Sequence, residues 1–188
     1  MVTAARIYQM LGNESLWQVA QRCDKLFREA RIPYGVCGGV AVCLHGYQRN
    51  TVDVDLIIRP EDSDSVRSLL QSQGFNWNAD NAEFATEDGF VVQFLHAGSR
   101  AGKDSEVTIA LPEGEQNVEE IEGLSVVRLS RLIEMKIACG SGNLRRKHKD
   151  FADVVELIVH RNLDGSFAGL LHRSVRQAFR ELLRNAQA

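Results

Sequence analysis

The sequence predicts an α+β fold: a small mixed sheet in the first two thirds and a helical last third. Three observations predict it. Short apolar and β-branched runs, punctuated by glycine, proline and polar turns, fill residues 34–127. From Ser130 onward apolar residues recur at helical spacing instead. The length of 188 residues, at 44% hydrophobic and 25% charged, suits about one domain with an amply supplied core.

The elements follow in order. A helix is expected from Glu14 to about Ala30, because Leu16, Ala20, Cys23, Phe27 and Ala30 share one stripe. Asn13 is its expected N-cap, and Pro33 ends the segment. Tyr34 to Cys37 reads as a short strand, Gly38-Gly39 as a turn, and Val40 to His45 as a short apolar helix stopped by Gly46. Val52 to Ile58 reads as a strand from its β-branched content, closed by Pro60. Asp62 to Gln73 reads as a helix ended by Gly74. A hairpin is expected from Glu83–Thr86 through Asp88-Gly89 into Phe90–Leu95. Glu106–Leu111 and Leu124–Val127 read as further strands, joined by an acidic connection. Three helices close the chain. One opens at Leu132 and is interrupted at Gly140-Ser141-Gly142, one covers Asp150 to about Val159, and one covers Phe167 to about Ala186. The expected division is a sheet domain over 1–128 and a helical segment over 129–188, packed together as one unit.

Composition excludes several classes. The net charge of −3 gives no global basic footprint for nucleic acid. No run of about 18 apolar residues exists, so no transmembrane helix or membrane partner is expected. The opening MVTAARIYQMLGNES lacks an unbroken apolar stretch, so no secretory signal is expected. Cys23, Cys37, Cys43 and Cys139 form no C-x-x-C pair and read as buried thiols of a cytoplasmic protein. The five histidines show no metal-ligand spacing.

The chemically informative stretch runs from Gly38-Gly39 to Asp53-Val54-Asp55. Strand alternation puts Asp53 and Asp55 on one face, with Val52, Val54 and Leu56 toward the core. Two same-face carboxylates repel each other unless a cation lies between them, and aspartate is a poor strand former. Such a pair suits Mg²⁺ or Mn²⁺ together with phosphate oxygens. Glycines at a strand-to-helix turn allow a phosphate close to backbone N–H groups. An ordinary turn beside a solvated sheet face is the plainer reading of the same residues.

The strings Gly38-Gly39-Val40-Ala41, Leu44 to Thr51 and Asp53-Val54-Asp55-Leu56 resemble the signature of the DNA polymerase β-type nucleotidyltransferase superfamily. The similarity is greatest to small bacterial nucleotidyltransferases: abortive-infection toxins of type IV toxin–antitoxin systems and antibiotic nucleotidyltransferases. A second block, with Lys136, Arg145, Lys149-Asp150 and Asp153, extends the likeness, which covers roughly residues 33–58 and 129–158. The resemblance implies a nucleotidyltransferase-like mixed sheet flanked by helices. It implies an NTP donor, Mg²⁺ or Mn²⁺ held by Asp53 and Asp55, and a hydroxyl acceptor on tRNA, protein or a small molecule. Gly38, Gly39, Arg49, Thr51, Lys136, Lys149 and Asp150 become the expected nucleotide-binding residues. An antitoxin is a candidate partner.

The pattern departs from the superfamily at one point. A third carboxylate, typically the general base, belongs on the strand Phe90–Leu95, and the polar residue there is Gln93. An amide oxygen can ligate a cation but cannot take a proton at neutral pH. Gln93 is thus expected in the catalytic set as a neutral replacement, with Glu83, Asp88 or Glu106 as candidate substitutes in space. A catalytically degenerate protein that binds nucleotide or a partner is the alternative. The run Arg145–Lys149 reads as a solvated loop or a phosphate contact. Arg173, Arg176, Arg180 and Arg184 read as a second basic strip on the last helix.

Overall fold

The computed structural model describes residues 14–187, so the Asn13 cap and the first residues lie outside the described residues. Helix α1 (Glu14–Ala30) leads into β1 (Tyr34–Cys37), α2 (Gly38–Leu44), β2 (Asp53–Ile58) and α3 (Ser63–Ser72). Strands β3 (Asn76–Asn78), β4 (Glu83–Ala85), β5 (Val91–His96), β6 (Val118–Ile121) and β7 (Leu124–Val127) follow. Helices α4 (Leu129–Gly142), α5 (Leu144–His160) and α6 (Arg176–Ala186) complete the chain. The seven strands form one mixed sheet in the order β3-β4-β5-β2-β1-β7-β6, with β2–β5 and β1–β7 parallel. The α+β class read from the sequence is the observed one.

The centre of the sheet is its most apolar part. All four residues of β1 are buried, as are Val54, Leu56, Ile57 and Ile58 of β2, which fits strands covered on both faces. The stripe expected on α1 is buried up to Phe27, with Leu16, Ala20, Cys23 and Phe27 at most 1% exposed, while Ala30 at the helix end is exposed. The Phe27 ring meets Tyr34 and Phe94 at centroid distances of 5.5 and 6.2 Å.

Several expectations need correction. Val52 is 75% exposed, and β2 begins one residue later at Asp53. Glu106–Leu111 is not a strand of the sheet: it pairs locally with residues 98–101, through the bridge Arg100↔Thr108 and backbone hydrogen bonds of Gly98 and Ser99 with Ile109 and of Ala101 with Val107. Its Val107 and Ile109 are buried, which gives the segment strand-like composition without a place in the sheet. Part of the acidic connection is instead β6, an edge strand on β7, where Glu119 and Glu120 blunt an exposed edge. Strand β3 was not read from the sequence. Its Trp77 packs on Phe84 and lies under the Arg67 guanidinium, 4.4 Å from the ring centroid.

The helical third also differs in detail. Helix α4 continues through Gly140, where a Cβ would sit 2.7 Å from the Phe151 ring, so glycine there allows α4 and α5 to pack closely. Asn143 then caps α5, accepting the Arg145 N–H at 3.0 Å, and the basic run 145–149 is helical. The single last helix is broken. Two 3₁₀ turns (Gly165–Leu170 and Arg173–Val175) precede α6. Buried Glu134 on α4 holds the break by accepting the His172 backbone N–H. Arg176 turns back to the Leu171 and Gly169 carbonyls and Arg173 to Glu106, so the four arginines do not form one free strip. Among the described residues no helix is long and apolar enough to cross a membrane.

Candidate active site

A row of side chains crosses four strands. Cys37 on β1 is in register with Asp55 on β2, Asp55 with Gln93 on β5, and Gln93 with Glu83 on β4. Register partners share a sheet face, and Asp53, two residues before Asp55, shares it too. Asp53 accepts a hydrogen bond from Thr51 Oγ1 at 2.9 Å, which fixes its carboxylate at the start of β2.

The two glycines fit closely against this row. Gly38 has φ of +60°, where an L side chain is disfavoured, and a Cβ there would overlap the Asp55 carboxylate. A Cβ on Gly39 would overlap Thr51, with Arg49 Nη1 at 3.2 Å. The turn thus brings backbone directly beside Asp55 and beside Thr51, which holds Asp53. Burial, and then the charge of Asp53, push the Asp55 carboxyl up to about 6. Burial, and then Asp55, also push the Cys37 thiol well above its usual range.

Cations approach from the helical third. Lys136 on α4 is 6% exposed, and its Nζ donates to Asp153 at 2.6 Å and to Asp150 at 3.3 Å on α5. Arg49 donates to the same Asp153 from Nε at 2.7 Å and Nη2 at 3.0 Å. The loop before β2 is thereby tied to α4 and α5 through one buried carboxylate. Arg146 Nε stands 3.4 Å from Asp150 Oδ2, one helical turn away.

A cavity of about 190 Å³ opens between sheet and helices, lined among others by Gly38, Asp55, Gln93, Lys136, Arg146 and Asp150. Gly39, Arg49, Thr51 and Asp53 are not part of this lining, and Lys149 is exposed on α5. Arg146 and Cys139 line the cavity without having been singled out individually in the sequence. The signal for Arg146 is its place four residues before Asp150 on one helix face. A wider groove of about 630 Å³ lies at the other end of β1, around Tyr34, Arg28 and Arg128, away from the row.

The residues fit a divalent cation in a limited way. Two half-buried carboxylates share a face, and the Asp55 carboxyl is pushed up, so a cation between them would relieve a real repulsion. Among the described residues no group of three or more His, Cys, Asp or Glu side chains converges on one point. The remaining coordination would come from phosphate oxygens and water, as Mg²⁺ prefers.

Fold and row together place the chain among nucleotidyltransferase-fold proteins. The fold is shared with ANT(2'')-Ia in complex with adenylyl-2''-tobramycin: 15% identity over 87% of this chain and 96% of that one, TM-score 0.60. It is shared as well with a candidate nucleotidyltransferase from Thermotoga maritima, at 12% identity over 73% and 92% of the two chains, TM-score 0.52. No curated protein sequence matches the chain. The profile of the aminoglycoside-2''-adenylyltransferase family matches residues 19–154, and the chain belongs to that family. The matched span runs from α1 to α5 and includes every residue of the site described above.

Proposed function

We propose that the chain transfers a nucleoside monophosphate, AMP foremost, from an NTP to a hydroxyl of a small polyhydroxylated acceptor, with Mg²⁺ or Mn²⁺ at Asp53 and Asp55. The observation that carries this reading is the register row: Asp55 beside Asp53, pressed against Gly38, with Gln93 alongside. Family membership supports the reaction class, and the adenylylated aminoglycoside held by ANT(2'')-Ia supports the donor and acceptor classes.

In the reaction the acceptor oxygen bonds to the α-phosphorus, the bond to the bridging oxygen breaks, and pyrophosphate leaves. A bound divalent cation would neutralise phosphate charge and lower the acceptor's pKa. The chain's own contribution is placement. Gly38 lets the Asp55 carboxylate sit against the first turn of α2, and Gly39 lets the Thr51 loop pack tightly beside it. Lys136 and Arg146 set positive charge across the cavity from Asp55, with Asp150 and Asp153 balancing it. Arg49 serves by anchoring the Thr51–Asp53 approach to Asp153. Lys149 supplies a further exposed positive charge on α5. Gln93 can receive a hydrogen bond from the acceptor hydroxyl but not its proton, which passes to water or to a neighbouring carboxylate.

A second reading has its own observation. Gln93 stands where the superfamily pattern has a carboxylate, which favours a chain that binds nucleotide without turnover. Incubation with each labelled NTP, Mg²⁺ or Mn²⁺, and aminoglycoside, tRNA and protein acceptors tests both. The expected result is label on a small-molecule hydroxyl, from ATP above the other NTPs, reduced at least 100-fold in Asp53→Asn and Asp55→Asn. Label on tRNA or protein would point to the toxin-like activity, for which an antitoxin is the fitting partner. Nucleotide binding without transfer to any acceptor would establish the second reading.

A further inference from the structure

Gln93 is the one uncharged member of the polar row that could reach a ligand through a long side chain, and its orientation is set from outside the cavity. Its Nε2 donates to Glu83 Oε2 at 3.0 Å across the β4–β5 pairing. An ionised carboxylate accepts only, so the amide nitrogen must face Glu83 and the amide oxygen must face away from it. Gln93 has Glu83 on one side and Asp55 on the other, in register with both. The strand on the other side of Gln93 from Glu83 is that of Asp55.

Glu83 is itself held. Its Oε1 accepts from Asn81 Nδ2 at 2.9 Å. Asn81 sits in the β3–β4 turn, where Asn78 Oδ1 accepts the backbone N–H groups of Asp80 at 3.0 Å and Asn81 at 3.4 Å. The chain of contacts runs from an edge turn, through a carboxylate, to an amide in the cavity wall. It gives this carboxylate a reason to stand on a three-residue strand, one in from the sheet edge.

We propose that Glu83 is a positioning residue: it orients Gln93 so that the amide oxygen, not the nitrogen, faces the Asp53–Asp55 side as a third, uncharged oxygen for the metal-bound nucleotide or the acceptor hydroxyl. This inference rests on the nucleotidyl-transfer reading above. A neutral oxygen adds a ligand without adding a third charge beside two carboxylates that already repel each other. A carboxylate accepting the N–H also draws electron density toward the amide oxygen, as hydrogen-bonded chains do. Partners of this kind behind metal ligands are worth about 10- to 100-fold in affinity. Each Glu83 oxygen accepts one N–H, which favours the ionised carboxylate. Those bonds, from Gln93 and then Asn81, hold its carboxyl below the usual range.

The test is a double-mutant cycle on the full chain, read by Mn²⁺ binding in the presence of a non-hydrolysable ATP analogue and by thermal midpoint. Glu83→Gln replaces a pure acceptor by a group that can donate or accept, so Gln93 is free to turn over. The expected result is Mn²⁺–nucleotide affinity about 10-fold weaker in Glu83→Gln, with a thermal midpoint close to wild type. In a Gln93→Ala background, Glu83→Gln should change nothing further. Asn81→Ala, in the exposed turn, should weaken binding in the same direction by a smaller factor, and it carries the test if Glu83→Gln fails to fold. Equal affinity in Glu83→Gln and wild type would overturn the positioning role while leaving the functional reading intact. Equal weakening with and without Gln93 would overturn it as well, assigning Glu83 a purely electrostatic effect. Absence of Mn²⁺–nucleotide binding in wild type would overturn both together.

Discussion

Asp55 is the residue at which stability and chemistry oppose each other. Its carboxyl is raised from an ordinary 3.8 to about 6 by burial and by Asp53. Below about pH 4 it is protonated in folded and unfolded chain alike and costs nothing. Between pH 4 and 6 the unfolded chain ionises first, so stability falls, by about 2 to 3 kcal/mol once the pH exceeds 6. Asp55→Asn is therefore expected to stabilise the ligand-free protein by a comparable amount at pH 7.5 and to have little effect at pH 4, as measured by urea unfolding at both pH values. The same variant should lose metal-dependent nucleotide binding. Gly38 offers a second check. Gly38→Ala forces an L residue to φ of +60° and pushes a methyl into the Asp55 carboxylate, so a loss of roughly 1 to 3 kcal/mol is expected in the same unfolding measurement. At this scale much was legible in advance. Two aspartates alternating with valine and leucine contradict strand propensity, and a glycine pair before a short apolar helix signals close backbone approach. What was not legible is which cation pairs with which carboxylate, because Arg49 and Asp153 are 104 residues apart in sequence.

At the scale of elements, one buried carboxylate joins three of them. Asp153 on α5 receives Lys136 from α4 and Arg49 from the loop before β2, and is 2% exposed. Removing one partner of a buried ion pair leaves the others desolvated and unbalanced, which costs roughly 3 to 5 kcal/mol. Asp153→Asn is accordingly expected to destabilise the protein by about 3 kcal/mol, and to increase hydrogen exchange in residues 47–53 ahead of the sheet centre. Unchanged exchange in that loop would show that Arg49 does not anchor it. Elements with strong periodicity were readable from sequence, as α1, β1, β2 and the part of α5 after Asp150 show. Edge elements were not. Strand β6 carries two glutamates and β3 two asparagines, since a strand with one open edge is selected for polarity rather than pattern. The break before α6 was hidden for a different reason: Leu171, Val175, Ala178 and Leu182 keep a helical stripe although two of them precede the helix. All four pack inward regardless of the local backbone.

For the whole molecule, the sheet and the helical third share the cavity and the ion network. We propose that residues 1–128 do not fold alone. The shortened chain would leave Arg49 without Asp153 and expose core otherwise covered by Leu132, Ile133, Val154 and Leu157. Circular dichroism of that fragment should show no cooperative melt, and a cooperative one would show two separable domains. The mixed sheet with a helical last third was legible because apolar runs change period near Ser130. Its strand order was not, since β2 pairs in parallel with β5 across the intervening α3, the edge strand β3 and its neighbour β4.

The account's central claim is that Asp53 and Asp55, backed by Gly38, seat a metal-bound nucleoside triphosphate. Calorimetric titration of a non-hydrolysable ATP analogue, with and without Mg²⁺, into wild type and Asp53→Asn measures this directly. The account predicts Mg²⁺-dependent binding in wild type that weakens at least 10-fold, or disappears, in the variant. Equal Mg²⁺-dependent binding in both proteins would contradict it.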